Sequence, residues 1–249
     1  MDKLSDDALE KWRRAGRITA KARDLAASLI APGARLEEVA EKVEGFIRSE
    51  GARPAFPLNL SCDHWAAHYT PTIDDPMAFL EGQIVKVDIG AEIDGYPADS
   101  AVTVEVGKAR RHGELARASR EALDVGVEMM GPNLQLQKVG DAIEPFATNG
   151  EGQVENAQAG NIYRFQGPKR VKDADARALQ EALQREHPSL PFAARWTRGL
   201  CKDPKKALKA LHAAGVVYAY PVLVEKGWGA VSQHEHSVLI TEDGAERLT

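Results

Sequence analysis

Cysteine is nearly missing from this 249-residue chain, which carries Cys62 and Cys201 alone. Two distant, unpatterned cysteines exclude a disulfide scaffold and suit a reducing cytoplasm. No stretch reaches the about 18 consecutive apolar residues that would cross a membrane. The opening MDKLSDDALEKWRRAGRITAKARDL is charged throughout and lacks the apolar core of a signal peptide. Surplus positive charge is missing too: the formal net charge of −5 gives no global basic field for nucleic acid. What is present is a 43% hydrophobic, 28% charged composition, ordinary for a soluble protein that buries a core in one large domain or two small ones.

Helical spacing of Ala8, Trp12, Ala15, Ile18, Ala22, Leu25 and Leu29 predicts a helix over 5–30, capped by Ser5. Pro32-Gly33 breaks it, and a second helix comes next over 36–49 with Val39, Val43 and Phe46 on one face. PAFPLNLS then reads as extended and AAHYTPTIDD as a loop, with a third helix over 114–130. An internal repeat lies at an offset of 100 residues: PGARLEEVAEKVE (32–44) over PNLQLQKVGDAIE (132–144), with Val43 matching Ile143. Such a repeat predicts two similar halves of helix, helix and strand. The second copy, however, runs into PFATNGEGQV and reaches no strand after its helix.

Residues 169–228 differ in composition, with 12 Lys and Arg against 6 Asp and Glu. DADARALQEALQREH reads as a helix capped by Asp173 or Asp175, PFAARWTRGL as a short helix, and DPKKALKALHAAG as a helix capped by Asp203. VVYAYPVLVE, the turn KGWG and AVSQHEHSVLIT then read as strand, turn and strand. Three helices and a hairpin are winged-helix-like. A helical insertion packed on the core fits better, because no helix carries an arginine stripe with base-reading residues.

The stretch VKVDIGAEIDGYPADSAVTVEV alternates apolar and polar residues on either side of Asp94-Gly95, the pattern of an antiparallel hairpin. A loop of Glu92 to Gly95 sets Asp88 opposite Asp99; a loop centred on Asp94-Gly95 sets them on a diagonal. Either way two acids lie within roughly 5–8 Å. Solvent, a shared proton, a basic neighbour or a metal cation would offset their repulsion. Glu144 in AIEPFATNGEG and Glu235 in SQHEHSVLIT are the other acids that stand out. Four converging carboxylates call for a counter-charge, and paired divalent cations that activate water would supply it.

PAFPLNLS, AAHYTP, VKVDIG, DGYPADSAVTVEVG, AIEPFATNGEG, LPFAARW, YAYPVL and HEHSVLIT, in this order over nearly the whole chain, resemble the type II methionine aminopeptidases, the archaeal ones in particular. The resemblance implies an α/β (α+β) pita-bread fold of two pseudo-symmetric halves. Residues 1–168 and 229–249 would form the catalytic domain, and 169–228 the helical insertion of the type II enzymes. It implies removal of the N-terminal methionine from nascent proteins by a cytoplasmic monomer that meets its substrates at or near the ribosome, with no membrane partner. Two divalent ions (Mn, Fe, Co or Zn) would be held by Asp88, by Asp99 and Glu235 as bridges, and by Glu144 as terminal ligand. His68 would contact the substrate near the scissile bond, and Phe56 and Asn59 would line the methionine pocket.

One departure is large. The family's fifth ligand, a histidine in a segment resembling NLxGHxxxxYxLHAG, has no counterpart here. A single VGDAIEPF stands where the family has two similar segments, as though several tens of residues had been removed and the second half truncated. Glu144 is therefore a helix residue by the repeat and a strand ligand by the resemblance. The expectation is a weakened or lost cation position at Glu144 and a surviving one at Asp88. A pita-bread protein that binds without cleaving is the second reading.

Overall fold

The computed structural model describes residues 5–147, 152–242 and 244–249. Helix α1 (Asp6–Leu29) starts where the Ser5 side chain accepts from Ala8 N, and α2 (Leu36–Ser49) begins after the Pro32-Gly33 break. The short strands β1 (Arg53–Pro54), β2 (Asn59–Cys62) and β3 (Trp65–Ala67) come next, then the long hairpin β4 (Ile84–Ile93) and β5 (Tyr96–Glu105). Asp94 and Gly95 form its two-residue loop, both with positive φ (51° and 91°), the turn whose twist matches the flanking strands.

Alternation divides β4 into two faces. Val85, Val87, Ile89 and Ala91 point at α1 and α2 and meet Ala22, Val39, Val43 and Ile47 in one buried core. Lys86, Asp88 and Gly90 take the other face. Thr19 ties α1 to this sheet twice, donating to Ala98 O and accepting from Ala91 N. The sheet runs β1-β4-β5-β9, with β2 also paired to β4 and β9 (Glu235–His236) along β5.

The second copy of the repeat gives α3 (Gly113–Met129) and α4 (Leu136–Ile143), which pack on each other. Of their residues only Gly126 and Val139 are buried. Between α3, α4 and the segment 230–238 lies an apolar groove of about 560 Å³.

β6 (Val154–Phe165) pairs with β8 (Val217–Glu225) and with β7 (Phe192–Ala193), and β3 closes the other edge of this second sheet. α5 (Ala174–Glu186) and α6 (Pro204–Ala213) leave and rejoin the sheet between β6 and β8, capped by Asp173 and Asp203. Their core of Leu179, Leu183, Phe192, Leu208 and Leu211 is separate from the first. PFAARWTRGL is not a helix but the short β7 and one 3-10 turn. YAYPVLVE does not form a hairpin with 230–241: β8 hydrogen-bonds to β6 and β3, while β10 (Val238–Thr241) pairs with β11 (Gly244–Arg247). The winged-helix likeness fails on that pairing, and β8 belongs to the sheet rather than to the insertion.

A buried ion pair docks the helical segment on the first half. The Arg195 guanidinium meets Glu44 of α2, both side chains 1% exposed. Glu44 also accepts from Trp196 Nε1 (2.6 Å) and Leu58 N (3.0 Å), so its burial is compensated by charge and by hydrogen bonds.

Candidate metal centre

The turn decides the register. With Ile93 opposite Tyr96, Asp88 faces Ala101 and Asp99 faces Gly90, so the two acids are diagonal neighbours. Asn59 of β2 stands opposite Asp88, and Glu235 of β9 stands opposite Ala101. Directly opposed residues share a sheet face. Asn59, Asp88, Ala101 and Glu235 therefore form one row across four strands, with Asp99 a step along β5. The small side chain of Ala101 leaves the space between the acids open. One carboxylate oxygen each from Asp88, Asp99 and Glu235 lies within 4.8 Å of the others.

Electrostatics at this point are severe. Burial first, then the neighbouring Asp99 and Glu235, push the Asp88 carboxyl well above its ordinary range. Burial and Glu235 push Asp99 up to about 6. Asp88 Oδ1 and Asp99 Oδ1 are sealed from solvent and accept no hydrogen bond. Buried acceptors are normally satisfied. These two oxygens beside a third carboxylate have the donor set and the deficit of positive charge that a hard divalent cation fills. The three residues fit such an ion.

β9 has two residues, too few for a ladder to hold Glu235 in place. Hydroxyls take over. Thr103 Oγ1 donates to Gln233 O (2.8 Å) and accepts from Gln233 N (2.7 Å). Ser100 Oγ accepts from Arg23 (2.9 Å) and donates to Glu235 O (2.9 Å). Ser237 Oγ accepts from Asp99 N (2.8 Å) and donates to Asp99 O (2.9 Å). Gln233 Nε2 donates to Glu235 Oε1 (2.7 Å). Sequence reading missed these supports. Their signal was Ser and Thr at strand positions where Val would otherwise sit.

The structure does not bring Glu144 into the cluster. α4 ends at Ile143 and the chain tightens into a 3-10 turn over Glu144–Phe146, leaving Glu144 exposed on that turn. Glu144 thus caps the end of α4, close to the repeat's helix reading, and among the described residues no strand carries it toward β9.

Asn59 is buried beside Asp88, its Nδ2 donating to Pro57 O and its Oδ1 unpartnered. Phe56 lies over Gly90, where an added Cβ would stand 2.7 Å from the ring and 2.8 Å from Ala98 O, so this approach requires glycine. His68 comes directly after β3 with a left-handed backbone (φ 64°), and its Nδ1 donates to Pro221 O at 3.3 Å. The remaining histidines of the region make other contacts, though His234 Nε2 is buried without a partner. His64 packs at a tilt of 38° on Trp228, ring centroids 4.3 Å apart. His234 Nδ1 meets Ser119 Oγ at 2.8 Å, and His236 Nδ1 meets Thr249 Oγ1 at 3.1 Å.

A sheet that presents clustered carboxylates between helix pairs is the pita-bread arrangement, and the chain belongs to metallopeptidase family M24, whose profile matches residues 10–242. Its relatives of known type include the methionine aminopeptidase of Methanocaldococcus jannaschii, 35% identical over 98% of this chain and 99% of the relative. That of Archaeoglobus fulgidus is 36% identical over 99% of each chain. The first alignment spans 293 positions against the 249 residues here, so at least 44 positions of the alignment hold no residue of this chain. Among solved structures, a thermophilic Arx1 superposes with a TM-score of 0.79 at 18% identity, over 99% of this chain and 91% of that one. The methionine aminopeptidase of Thermotoga maritima superposes at 0.67 and 23% identity, over 100% and 99%. At such identities these two show the shared fold.

Proposed function

We propose that the chain is a methionine aminopeptidase that removes the N-terminal methionine from nascent proteins by hydrolysis. The convergence of Asp88, Asp99 and Glu235, with two sealed and unpartnered oxygens, carries this reading in a chain whose relatives bear that name. Mn, Fe, Co or Zn suits a carboxylate set, and availability selects among them. When bound, such ions polarise a carbonyl oxygen and lower the pKa of water for attack.

The chain's own residues do the rest. The acids hold charge on one sheet face, and the hydroxyl supports keep Glu235 in register with Asp88. His68, with Nδ1 committed to Pro221 O, offers Nε2 to the substrate near the scissile peptide. Phe56 and Asn59 wall the methionine side chain beside the acids, the Asn59 Oδ1 left to accept from the bound substrate. Two free cysteines agree with action in the reducing cytoplasm, where peptides leaving the ribosome supply the substrate to a monomer.

Release of methionine from a Met-Ala-Ser peptide, with Mn, Co, Fe and Zn in turn, tests the reading. Cation-dependent release that Asp99→Ala abolishes is the expected result. No release with any ion, from a protein that melts cooperatively, would replace it with a pita-bread module that binds without cleaving.

A further inference from the structure

Resting on the metallopeptidase reading, we infer that this chain holds a single divalent cation, on Asp88, Asp99 and Glu235, and that its second position is not built. Two cations sharing bridging carboxylates need terminal ligands at both ends. At one end Asp88 supplies one. At the other end the acid expected to supply one, Glu144, sits exposed on the turn after α4.

Among the described residues no histidine, cysteine or further acid joins Asp88, Asp99 and Glu235 within 4.8 Å. Gln233 Nε2 donates to Glu235 Oε1 at 2.7 Å, so one of the two oxygens a bridging carboxylate must offer is already occupied by an N–H donor. The backbone of Gln233 is clamped on both sides by Thr103 Oγ1, and Thr103 is itself buried, which stops the amide from swinging away. His234 turns toward Ser119 on α3 and His236 toward Thr249. His68 Nδ1 is committed to Pro221 O, and the His64 ring lies tilted against Trp228 and Trp65. The strand that would complete the far end has no place in the β1-β4-β5-β9 sheet, where β9 forms the edge among the described residues.

Mn²⁺ titration of the full chain followed by calorimetry and electron paramagnetic resonance measures this directly. One Mn²⁺ per chain with an uncoupled six-line spectrum is expected. Glu144→Gln should leave the affinity within twofold, while Asp99→Asn should weaken it at least 100-fold. Two Mn²⁺ with an exchange-coupled spectrum, or a tenfold loss of affinity in Glu144→Gln, would overturn the single-cation inference and leave the metallopeptidase reading standing. No binding at all, from a chain that melts cooperatively, would overturn both.

Discussion

The two copies of the repeat share a pattern and differ in what they bury. In α1 and α2, seven residues each are buried. In α3 and α4, one residue each is. The difference is not in the helices' own sequences, since α4 keeps the Leu, Val and Glu of α2 in register. It lies in the segments downstream of them. α2 leads into strands that complete a sheet for it to cover; α4 leads into a 3-10 turn and β6, and leaves an open groove. Helix stability in proteins comes mainly from packing an apolar face, so the same periodicity yields a core in one half and a loosely held pair in the other.

Matched substitutions at repeat-related positions can break this comparison. The largest effect belongs to the glutamates. Glu44→Gln leaves Arg195 buried without its counter-charge and should cost about 3–5 kcal/mol by urea unfolding. Glu144→Gln, on an exposed turn, should cost less than about 0.5 kcal/mol. Next come the leucines: Leu36→Ala, fully buried, should cost about 2–5 kcal/mol. Leu136→Ala, 74% exposed, should change stability by less than about 0.5 kcal/mol. Equal costs within either pair would mean that the second half packs as the first does.

A smaller effect sharpens the contrast at the site itself. Asp88 and Asp99 are pushed upward, Asp99 to about 6, so below that pH Asp99 holds a proton that a cation must displace. In the metal-free protein these acids make folding less favourable as pH rises from about 4 to 6. His234 and His236, held down to about 4 by burial, act in the opposite sense over that window. The difference with and without cation isolates the acids. Mn²⁺ should raise the melting temperature by several degrees at pH 7.5 and by much less at pH 5. An equal rise at both would remove the acids from the binding event.

Much of this was legible in sequence because it rests on short-range pattern. Apolar spacing located α1 and α2, Ser5, Asp173 and Asp203 capped as their chemistry requires, and Asp94-Gly95 gave the hairpin. The diagonal placement of Asp88 and Asp99 came from turn length, which the residues alone left open. The partner of β8 was not legible, since an apolar strand fits any neighbouring edge and tertiary topology chooses. Glu144 was readable in two ways because its local sequence serves both.

Phe165 and Val217 are direct partners across β6 and β8, so the helical segment begins and ends at adjacent points. A loop whose ends already touch can change length at about 0.6 kcal/mol per doubling. The segment is thus a cassette that evolution or an engineer can exchange at that seam without reshaping the sheet beneath. Its anchor is what limits the exchange. Arg195 also donates to Thr70 Oγ1 (2.6 Å), two residues beyond His68, so any replacement cassette must bring its own cation for Glu44 and its own clasp for the loop that presents His68.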